Sequence, residues 1–133
     1  MAHVGFTLEL RDNAAKKGSG RVIPVHADVR RALIAWREVS NLPGPIIRSE
    51  RGGPMTALSI VVWFNRAFRT IGLKGCSSHS GRRTFITRAA RLVHNAGGSL
   101  RDVQLLAGHR SIQTTQRYID GDTDAQRKLV SMI

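Results

Sequence analysis

The chain has 133 residues, of which 41% are hydrophobic, and its 21 lysines and arginines against nine acidic residues give a formal net charge of +12. This length predicts one domain with a modest core, and the hydrophobic fraction excludes an intrinsically disordered chain. The single cysteine, Cys76, excludes an internal disulfide, and no stretch resembles a signal peptide or a membrane span. We therefore expect a soluble, cytoplasmic protein.

The first elements predict a β-hairpin. Apolar and polar residues alternate over residues 5–10, as in a half-buried strand, and residues 21–25 predict the return strand. The loop between them, residues 13–20, is rich in Gly, Ser, Lys and Asn and has a basic tip at Lys16 and Lys17. This hairpin is the only sheet that the sequence predicts.

Helical periodicity predicts two helices in the middle of the chain. The first starts at His26 or Asp28 and runs to about Ser40, and the second is capped by Thr56 and runs to Ile71. Between them we predict a short strand at residues 46–47 and a turn at residues 49–54. The apolar residues at helical spacing are Val29, Ala32, Leu33 and Trp36 in the first helix, and Leu58, Val61, Val62, Phe64 and Phe68 in the second, which we expect to be largely buried.

A third helix is predicted over about residues 80–95, with Ser77 or Ser78 as its N-cap. Ser99 and Asp102 form a capping box ahead of a fourth helix, which Gly108 ends. The predicted core stripe of the third helix is Phe85, Ala89, Leu92 and Val93, and that of the fourth is Leu100, Val103 and Leu106.

Two short helices complete the chain. Ser111 caps one that runs to Tyr118, and Asp122 or Thr123 caps a last one that bears Leu129, Val130 and Ile133. The fold class is therefore mainly α with a small N-terminal β-hairpin, an α+β arrangement, in a single domain over residues 1–133. The last helix is too short to be stable alone and must dock on its own domain or on a neighbour.

The positive charge is concentrated in the second half of the chain. Residues 51–119 contain eleven lysines and arginines but one acid, Asp102. Seventeen of the 21 cations are arginines, whose planar guanidinium binds phosphate oxygens in a bidentate manner. This pattern favours nucleic acid over a membrane surface as the binding partner. Binding to a membrane is less well supported, because the chain has no lipid motif and no long apolar run. A solvated basic surface is the alternative.

Three motifs in this basic region combine the groups that phosphate chemistry uses. His79 precedes Arg82 by three residues, which places both side chains on one face of a helix. Gly108 and His109 follow, and Tyr118, the only tyrosine, comes nine residues after His109. A phenol becomes a usable nucleophile once its developing charge is stabilised. The alternative, a metal held by His79 and His109, lacks an acidic or thiol ligand at suitable spacing, so we expect neither metal nor cofactor.

These motifs resemble the catalytic core of tyrosine recombinases, the phage-integrase family. The resemblance rests on HSGRRTFITRAA at residues 79–90 and LAGHRSIQTTQRYID at residues 106–120, which match the family's His-x-x-Arg, Leu-x-Gly-His and a tyrosine nine residues past this histidine. AKKGSGRVIPV at residues 15–25 resembles the family's β-hairpin, whose lysine lies eight residues before a proline. That count gives Lys16, whereas a one-residue slip would give Lys17.

The resemblance implies strand exchange on double-stranded DNA, by protomers that assemble on it, through a 3′-phosphotyrosyl intermediate. It implies that Tyr118 is the nucleophile, that Arg82 and His109 bind the phosphate, that His79 assists proton transfer or binds the phosphate, and that Lys16 protonates the leaving oxygen. It also implies a bacterial or mobile-element source and a place at the nucleoid.

The chain departs from the family pattern in one respect. The family has a first catalytic arginine on a helix before the hairpin and a separate N-terminal DNA-clamping domain, and few residues precede Gly5 here. From this we expect a partial catalytic domain with impaired activity alone. Two alternatives are a shortened relative that binds DNA or a recombinase partner without catalysis, and a type IB topoisomerase-like enzyme that shares the chemistry but relaxes supercoils.

Overall fold

A computed structural model describes residues 3–15, 18–40, 43–119 and 123–133, with the side chains of the last range described from residue 125 onward. The chain divides into two units, residues 1–82 and residues 83–133. The first unit contains the hairpin and two helices, and the second contains the shorter helices near the chain end. One helix, residues 78–92, begins in the first unit and ends in the second.

The predicted hairpin is confirmed. Strand β1 (Thr7–Leu10) pairs antiparallel with β2 (Arg21–Pro24), in a register that places Leu10 opposite Arg21. A 3₁₀ turn at Asp12–Ala14 follows β1. The basic tip, Lys16 and Lys17, lies outside the described residues.

Helix α1 (Ala27–Ser40) follows the hairpin, as predicted, and is fixed to the rest of the first unit by polar contacts. The guanidinium of Arg30 lies over the Phe6 ring, 4.4 Å from its centroid, and Arg30 Nε donates to Val4 O at 3.1 Å. Trp36 Nε1 donates to Ile46 O at 3.0 Å. The predicted inward stripe is correct only in part, because Leu33 is half-buried whereas Val29 and Trp36 are exposed.

The strand predicted at residues 46–47 is wrong. The backbone pairs only at an isolated bridge between Arg48 and Pro54. The turn predicted at residues 49–54 is confirmed, since the Ser49 N–H donates to Gly53 O at 2.8 Å. On the other side of the bridge, the Met55 N–H donates to Ile47 O at 3.4 Å.

Helix α2 (Ala57–Thr70) begins and ends as predicted, but its burial was predicted wrongly. Thr56 Oγ1 accepts from the Ser59 N–H at 3.1 Å, and Gly72 follows the helix with a φ of 79°. None of its residues is fully buried. Only one stripe is half-buried, and it consists of Ile60, Phe64, Ala67 and Phe68. Apolar residues also occupy other sides of α2, and there Leu58, Val61, Val62 and Trp63 are exposed.

Four helices carry the rest of the chain: α3 (Ser78–Leu92), α4 (Leu100–Ala107), α5 (Ile112–Gln116) and α6 (Thr123–Ser131). The core of the second unit lies between α3 and α4, and consists of Ile86, Ala90, Val103 and Ala107. Ala89, Val93, Leu100 and Tyr118 pack against it.

The predicted stripe of α3 is correct only in part: Ala89 and Val93 pack against the core, but Ile86 and Ala90 are its buried residues. Phe85 is 52% exposed and Leu92 53%, whereas their neighbour Ile86 is 0% exposed. Ile86 and Ala90 are four residues apart and so share a face. The small Ala90 on α3 and Ala107 on α4 leave room for the branched Ile86 and Val103 between the helices, which larger residues at these positions would not.

Local signals around α4 are confirmed. Asp102 Oδ2 accepts from the Ser99 N–H at 2.7 Å, as in a capping box, and it also accepts from the Ser99 hydroxyl at 3.2 Å. Gly108 ends the helix in the left-handed region with a φ of 68°. Helix α5 is shorter than predicted, since it ends at Gln116, two residues before Tyr118. Within the described parts of the chain, no helix combines the length and the apolar run that a bilayer crossing needs.

Candidate active site

The end of α4 positions His109. The left-handed turn at Gly108 redirects the chain, and the His109 N–H donates to Gln104 O at 3.1 Å. The Gln104 side chain then donates from Nε2 to His109 O at 2.9 Å, so the backbone of His109 is held on both sides. Gln104 is only 3% exposed, and its Oε1 accepts from Arg101 Nη1 at 2.9 Å. Both the oxygen and the nitrogen of this buried amide are therefore hydrogen-bonded, and the nitrogen fixes the turn.

The imidazole of His109 is oriented by α5. Its Nδ1 lies 3.0 Å from Thr115 Oγ1, and Thr115 is completely buried. Because the hydroxyl holds one ring nitrogen, it also fixes the direction in which the opposite nitrogen, Nε2, points. His109 itself is half-buried. A half-buried imidazole with one nitrogen held by a buried group is a preorganised hydrogen-bonding group.

Tyr118 lies against this histidine. Its N–H donates to Thr115 O at 3.1 Å, which places the residue directly after α5. The two rings stack with 5.7 Å between centroids and 19° between planes. The ring also packs against the core formed by α3 and α4. The structure thus brings together two of the five predicted site residues and anchors both through Thr115.

His79 and Arg82 occupy the first turns of α3, in the first unit, as the sequence predicts. The His79 N–H donates to Ser77 Oγ at 3.4 Å, and Ser80 Oγ accepts from the Ser77 N–H at 2.9 Å. Both His79 and Arg82 are exposed, and their spacing of three places them on one face of the helix. Lys16, the fifth predicted residue, lies outside the described residues.

One neighbour of Arg82 was not predicted from the sequence. Burial and, second, the positive charge of Arg82 lower the pKa of Arg21, the first residue of β2. Sequence analysis also missed Gln104 and Thr115. Gln104 could have been recognised from the sequence as a polar residue on the same helix face as the apolar Leu100 and Ala107. For Thr115 the sequence offers only its closeness to His109 along the chain. In the described residues, no three His, Cys, Asp or Glu side chains are grouped so as to hold a metal ion.

The second unit is thus mainly helical and carries the stacked histidine and tyrosine, and the first unit contains the hairpin and the exposed His-x-x-Arg turn. A model of the phage integrase family matches residues 4–124, so the chain belongs to this family. This confirms the family that the sequence motifs indicated.

The relatives in this family are longer than the chain. Tyrosine recombinase XerC of Nitrobacter winogradskyi is 37% identical over 114 residues, which are 82% of this chain and 34% of that protein. XerC of Corynebacterium glutamicum is 34% identical over 107 residues, 77% of this chain and 33% of that protein. The chain therefore spans about a third of the length of the curated relatives that it matches.

Solved structures show the same fold. The Tn1549 transposon integrase, solved in complex with transposon right end DNA, has a TM-score of 0.71 at 23% identity, covering 96% of this chain and 47% of that one. The XerA recombinase has a TM-score of 0.70 at 22% identity, covering 96% and 46%. These likenesses confirm the predicted fold class.

Proposed function

We propose that this chain forms the catalytic part of a tyrosine-type site-specific recombinase, which cuts and rejoins double-stranded DNA through a covalent protein–DNA intermediate. The observation that carries the proposal is the stacked pair of His109 and Tyr118, with 5.7 Å between ring centroids. Membership of the phage integrase family supports it. So does the similarity to proteins that are named tyrosine recombinases.

In this reaction the Tyr118 hydroxyl oxygen attacks the scissile phosphorus. A bond forms between Oη and phosphorus, the bond from phosphorus to the 5′ oxygen breaks, and a 3′-phosphotyrosyl linkage results. Attack by the 5′ hydroxyl of another strand reverses the step and releases Tyr118. Because the phosphodiester bond is exchanged rather than hydrolysed, the cycle needs no ATP, and the proposal includes no metal or cofactor.

His109 donates a hydrogen bond to a non-bridging oxygen of the same phosphate. Negative charge grows on these oxygens in the transition state, and a donor that is already oriented stabilises it without reorganisation. Thr115 provides that orientation through its bond to His109 Nδ1. The packing of Tyr118 on the α3–α4 core limits the motion of the nucleophile in the same way.

Arg82 binds the non-bridging oxygens with its planar guanidinium, which matches their geometry. His79, three residues earlier on α3, takes part in proton transfer or binds the phosphate, since the unperturbed pKa of imidazole lies near neutrality. Lys16 gives a proton to the leaving 5′ oxygen, and Lys17 is the alternative for this role. The roles proposed for His79 and Arg82 are supported by the exposure of both side chains and by their spacing of three residues along α3.

The partners in this proposal are duplex DNA and further protomers assembled on it, and the site of action is the nucleoid in a bacterial cytoplasm. The end of the chain supports assembly. Past the middle of α6 the exposed apolar residues are Leu129, Val130, Met132 and Ile133. An apolar surface of this kind is suited to dock on a neighbouring protomer.

The test is covalent capture of DNA by the protein expressed from its complete gene. The substrate is a pool of nicked duplexes with a randomised core, from which the cleaved 5′ end diffuses away and leaves the adduct trapped. Denaturing electrophoresis reveals the adduct, and sequencing of the trapped DNA reveals its site preference. We expect an adduct with the wild type and none with Tyr118→Phe, which keeps the ring stacked on His109 but lacks the nucleophile.

Each outcome has a defined meaning. An adduct that persists in Tyr118→Phe means that the nucleophile is another residue. DNA binding without any adduct supports the shortened, binding-only relative. Trapped DNA without sequence preference, together with relaxation of supercoiled plasmid, supports the type IB topoisomerase-like alternative. Circular dichroism of Tyr118→Phe checks that the variant is folded.

A further inference from the structure

Gln104 is a buried amide whose orientation is fixed by its two partners. Its side chain is 3% exposed, its Oε1 accepts from Arg101 Nη1 at 2.9 Å, and its Nε2 donates to His109 O at 2.9 Å. A guanidinium can only donate and a carbonyl can only accept, so each end of the amide has one possible partner. The arginine therefore determines which end of the amide faces His109.

Arg101 is placed to control this amide. It is the second residue of α4 and is exposed, and Gln104 lies three residues later on the same side of the helix. An unpaired amide oxygen in the interior is costly, so the contact with Arg101 stabilises the fold. Because a charged donor makes a stronger hydrogen bond than a neutral one, this contact also restrains rotation of the Gln104 side chain.

The restraint reaches the candidate site through the backbone. The His109 N–H donates to Gln104 O at 3.1 Å, and the Gln104 side chain holds the His109 carbonyl, so one residue fixes both backbone polar groups of the histidine. Arg101 lies at the other end of α4, before the left-handed turn at Gly108. All residues of this path belong to the second unit, so the path does not depend on the first.

We propose that Arg101 is a positioning residue for His109, because it orients the buried amide of Gln104 and the amide holds the backbone that carries the imidazole. In the reaction proposed above, this imidazole donates to the phosphate that Tyr118 attacks, and to this extent the inference rests on the proposed function. Arg101 needs no contact with the DNA for this role. A small displacement of an oriented donor slows the reaction, so loss of Arg101 lowers the cleavage rate through His109.

The carbonyl of His109 can be observed by itself. A histidine followed by an arginine occurs once among the 133 residues, at His109 and Arg110. Protein labelled with ¹³C-carbonyl histidine and ¹⁵N arginine therefore gives one carbonyl–amide NMR signal from this chain. The protein is expressed from its complete gene, and disappearance of the signal in Arg110→Lys assigns it. The carbonyl shift reports the hydrogen bond that His109 O accepts.

We expect Arg101→Ala to move this signal in the same direction as Gln104→Met, which removes the amide and keeps a side chain of similar length. Because Arg101 acts through Gln104, the double variant should match Gln104→Met alone. Arg101→Lys keeps a donor and should move the signal less than Arg101→Ala. The matched control is Arg91→Ala, which removes the same charge from an exposed position on α3 and should leave the signal unchanged.

Single-turnover cleavage at saturating DNA separates positioning from stability. Arg101→Ala should form the Tyr118 adduct about tenfold more slowly than Arg91→Ala, while the two variants bind duplex DNA with similar affinity. If Gln104→Met does not fold, the comparison of Arg101→Ala with Arg101→Lys decides. The inference is overturned by an unchanged carbonyl signal in Arg101→Ala, by additive shifts in the double variant, or by an unchanged cleavage rate.

Failure of this inference can be separated from failure of the proposed function, because the carbonyl signal is recorded without DNA. A wild-type adduct, combined with a carbonyl signal that does not respond to Arg101→Ala, leaves the recombinase proposal standing and removes the role of Arg101. A signal that responds as expected, without any adduct in the wild type, supports the path from Arg101 to His109 and contradicts the proposed reaction.

Discussion

At the scale of single residues, the candidate site depends on two buried polar side chains that take no part in the chemistry. Gln104 and Thr115 are among the most buried residues of the second unit, and both are bonded to His109, one to its carbonyl and one to its ring. Buried polar groups are costly unless they are paired, and here the pairing also determines where the imidazole lies. Stability and preorganisation of the site therefore come from the same contacts.

Thr115→Val separates these two contributions, because valine has nearly the same shape and lacks the hydroxyl. Loss of the buried bond to His109 Nδ1 should lower the free energy of unfolding by about 1–2 kcal/mol. The rate of adduct formation should fall by at least tenfold while DNA affinity changes little, since the imidazole is no longer oriented. Chemical denaturation and single-turnover cleavage measure the two effects.

The matched control for this variant is Thr114→Val. Thr114 is the preceding residue of α5, and its hydroxyl lies 3.2 Å from the Ser111 hydroxyl in an exposed position. We expect little change in either measurement. An equal loss of cleavage rate in both threonine variants contradicts the orienting role of Thr115.

At the scale of elements, packing of α3 on α4 holds the second unit together. Ile86→Ala removes a fully buried side chain from this contact and should destabilise the protein by about 2–5 kcal/mol, the range for large-to-small core changes. Phe85→Ala changes the neighbouring residue, which is half-exposed, and should cost clearly less. Urea unfolding followed by circular dichroism compares them. If Phe85→Ala is the more destabilising, then Phe85 rather than Ile86 packs against α4 in solution.

The N-terminus of α4 makes stability depend on pH. The backbone N–H and, to a smaller extent, the hydroxyl of Ser99 hold the pKa of Asp102 below its usual value. A carboxylate whose pKa is lowered by folding stabilises the folded state above its unfolded pKa, about 3.9, and this contribution is lost as the pH falls through the folded value. The stability difference between wild type and Asp102→Asn should therefore be constant from pH 5 to 7 and shrink below about pH 4.

Denaturation midpoints measured from pH 3 to 7 test this expectation. Ser99→Ala is the informative companion variant, since it removes the hydroxyl bond and keeps the backbone bond, and should show a smaller part of the same pH dependence. Parallel curves for wild type and Asp102→Asn across the whole range mean that the capping interaction does not form in solution.

The boundaries of elements could be predicted from sequence because they depend on neighbouring residues. Helix starts are capped by Thr56 and by the Ser99–Asp102 box, which hydrogen-bond to backbone N–H groups a few positions away. Gly108 ends a helix through its own backbone conformation. Burial could not be predicted as well, because it depends on which side of a helix meets a partner. Phe85 is the larger apolar residue, yet Ile86 is in the core, because Ile86 and Ala90 are the α3 residues that cluster with Val103 and Ala107 of α4.

The same distinction applies to the candidate site. His109 and Tyr118 were predicted from residue type and spacing, and the structure places them in contact. Gln104 acts through a backbone turn, and its only trace in the sequence is a polar residue on the same helix face as Leu100 and Ala107. The roles predicted for all five site residues stay predictions, those of His109 and Tyr118 as much as those of Lys16, His79 and Arg82.

At the scale of the whole molecule, the charge distribution determines how the chain meets a polyanion. All eleven lysines and arginines between residues 51 and 119 have exposed side chains. The one acid of this region, Asp102, is occupied in capping α4. The charged side chains exposed in this part of the chain are therefore almost all positive, which favours contacts with phosphate groups.

Duplex binding should accordingly be strongly dependent on salt. Each phosphate that a cation neutralises releases condensed counterions, so the logarithm of the association constant should fall linearly with the logarithm of salt concentration, with a slope of about −0.9 per contact. With six or more contacts, the affinity should fall on the order of 10³-fold between 50 and 200 mM salt.

Arg82→Ala should make this slope less steep by the amount that corresponds to about one phosphate contact. Arg31→Ala should not, because Arg31 is paired with Asp28 in α1. Fluorescence anisotropy with a labelled duplex measures all three slopes, and a wild-type slope near zero contradicts binding through this basic surface.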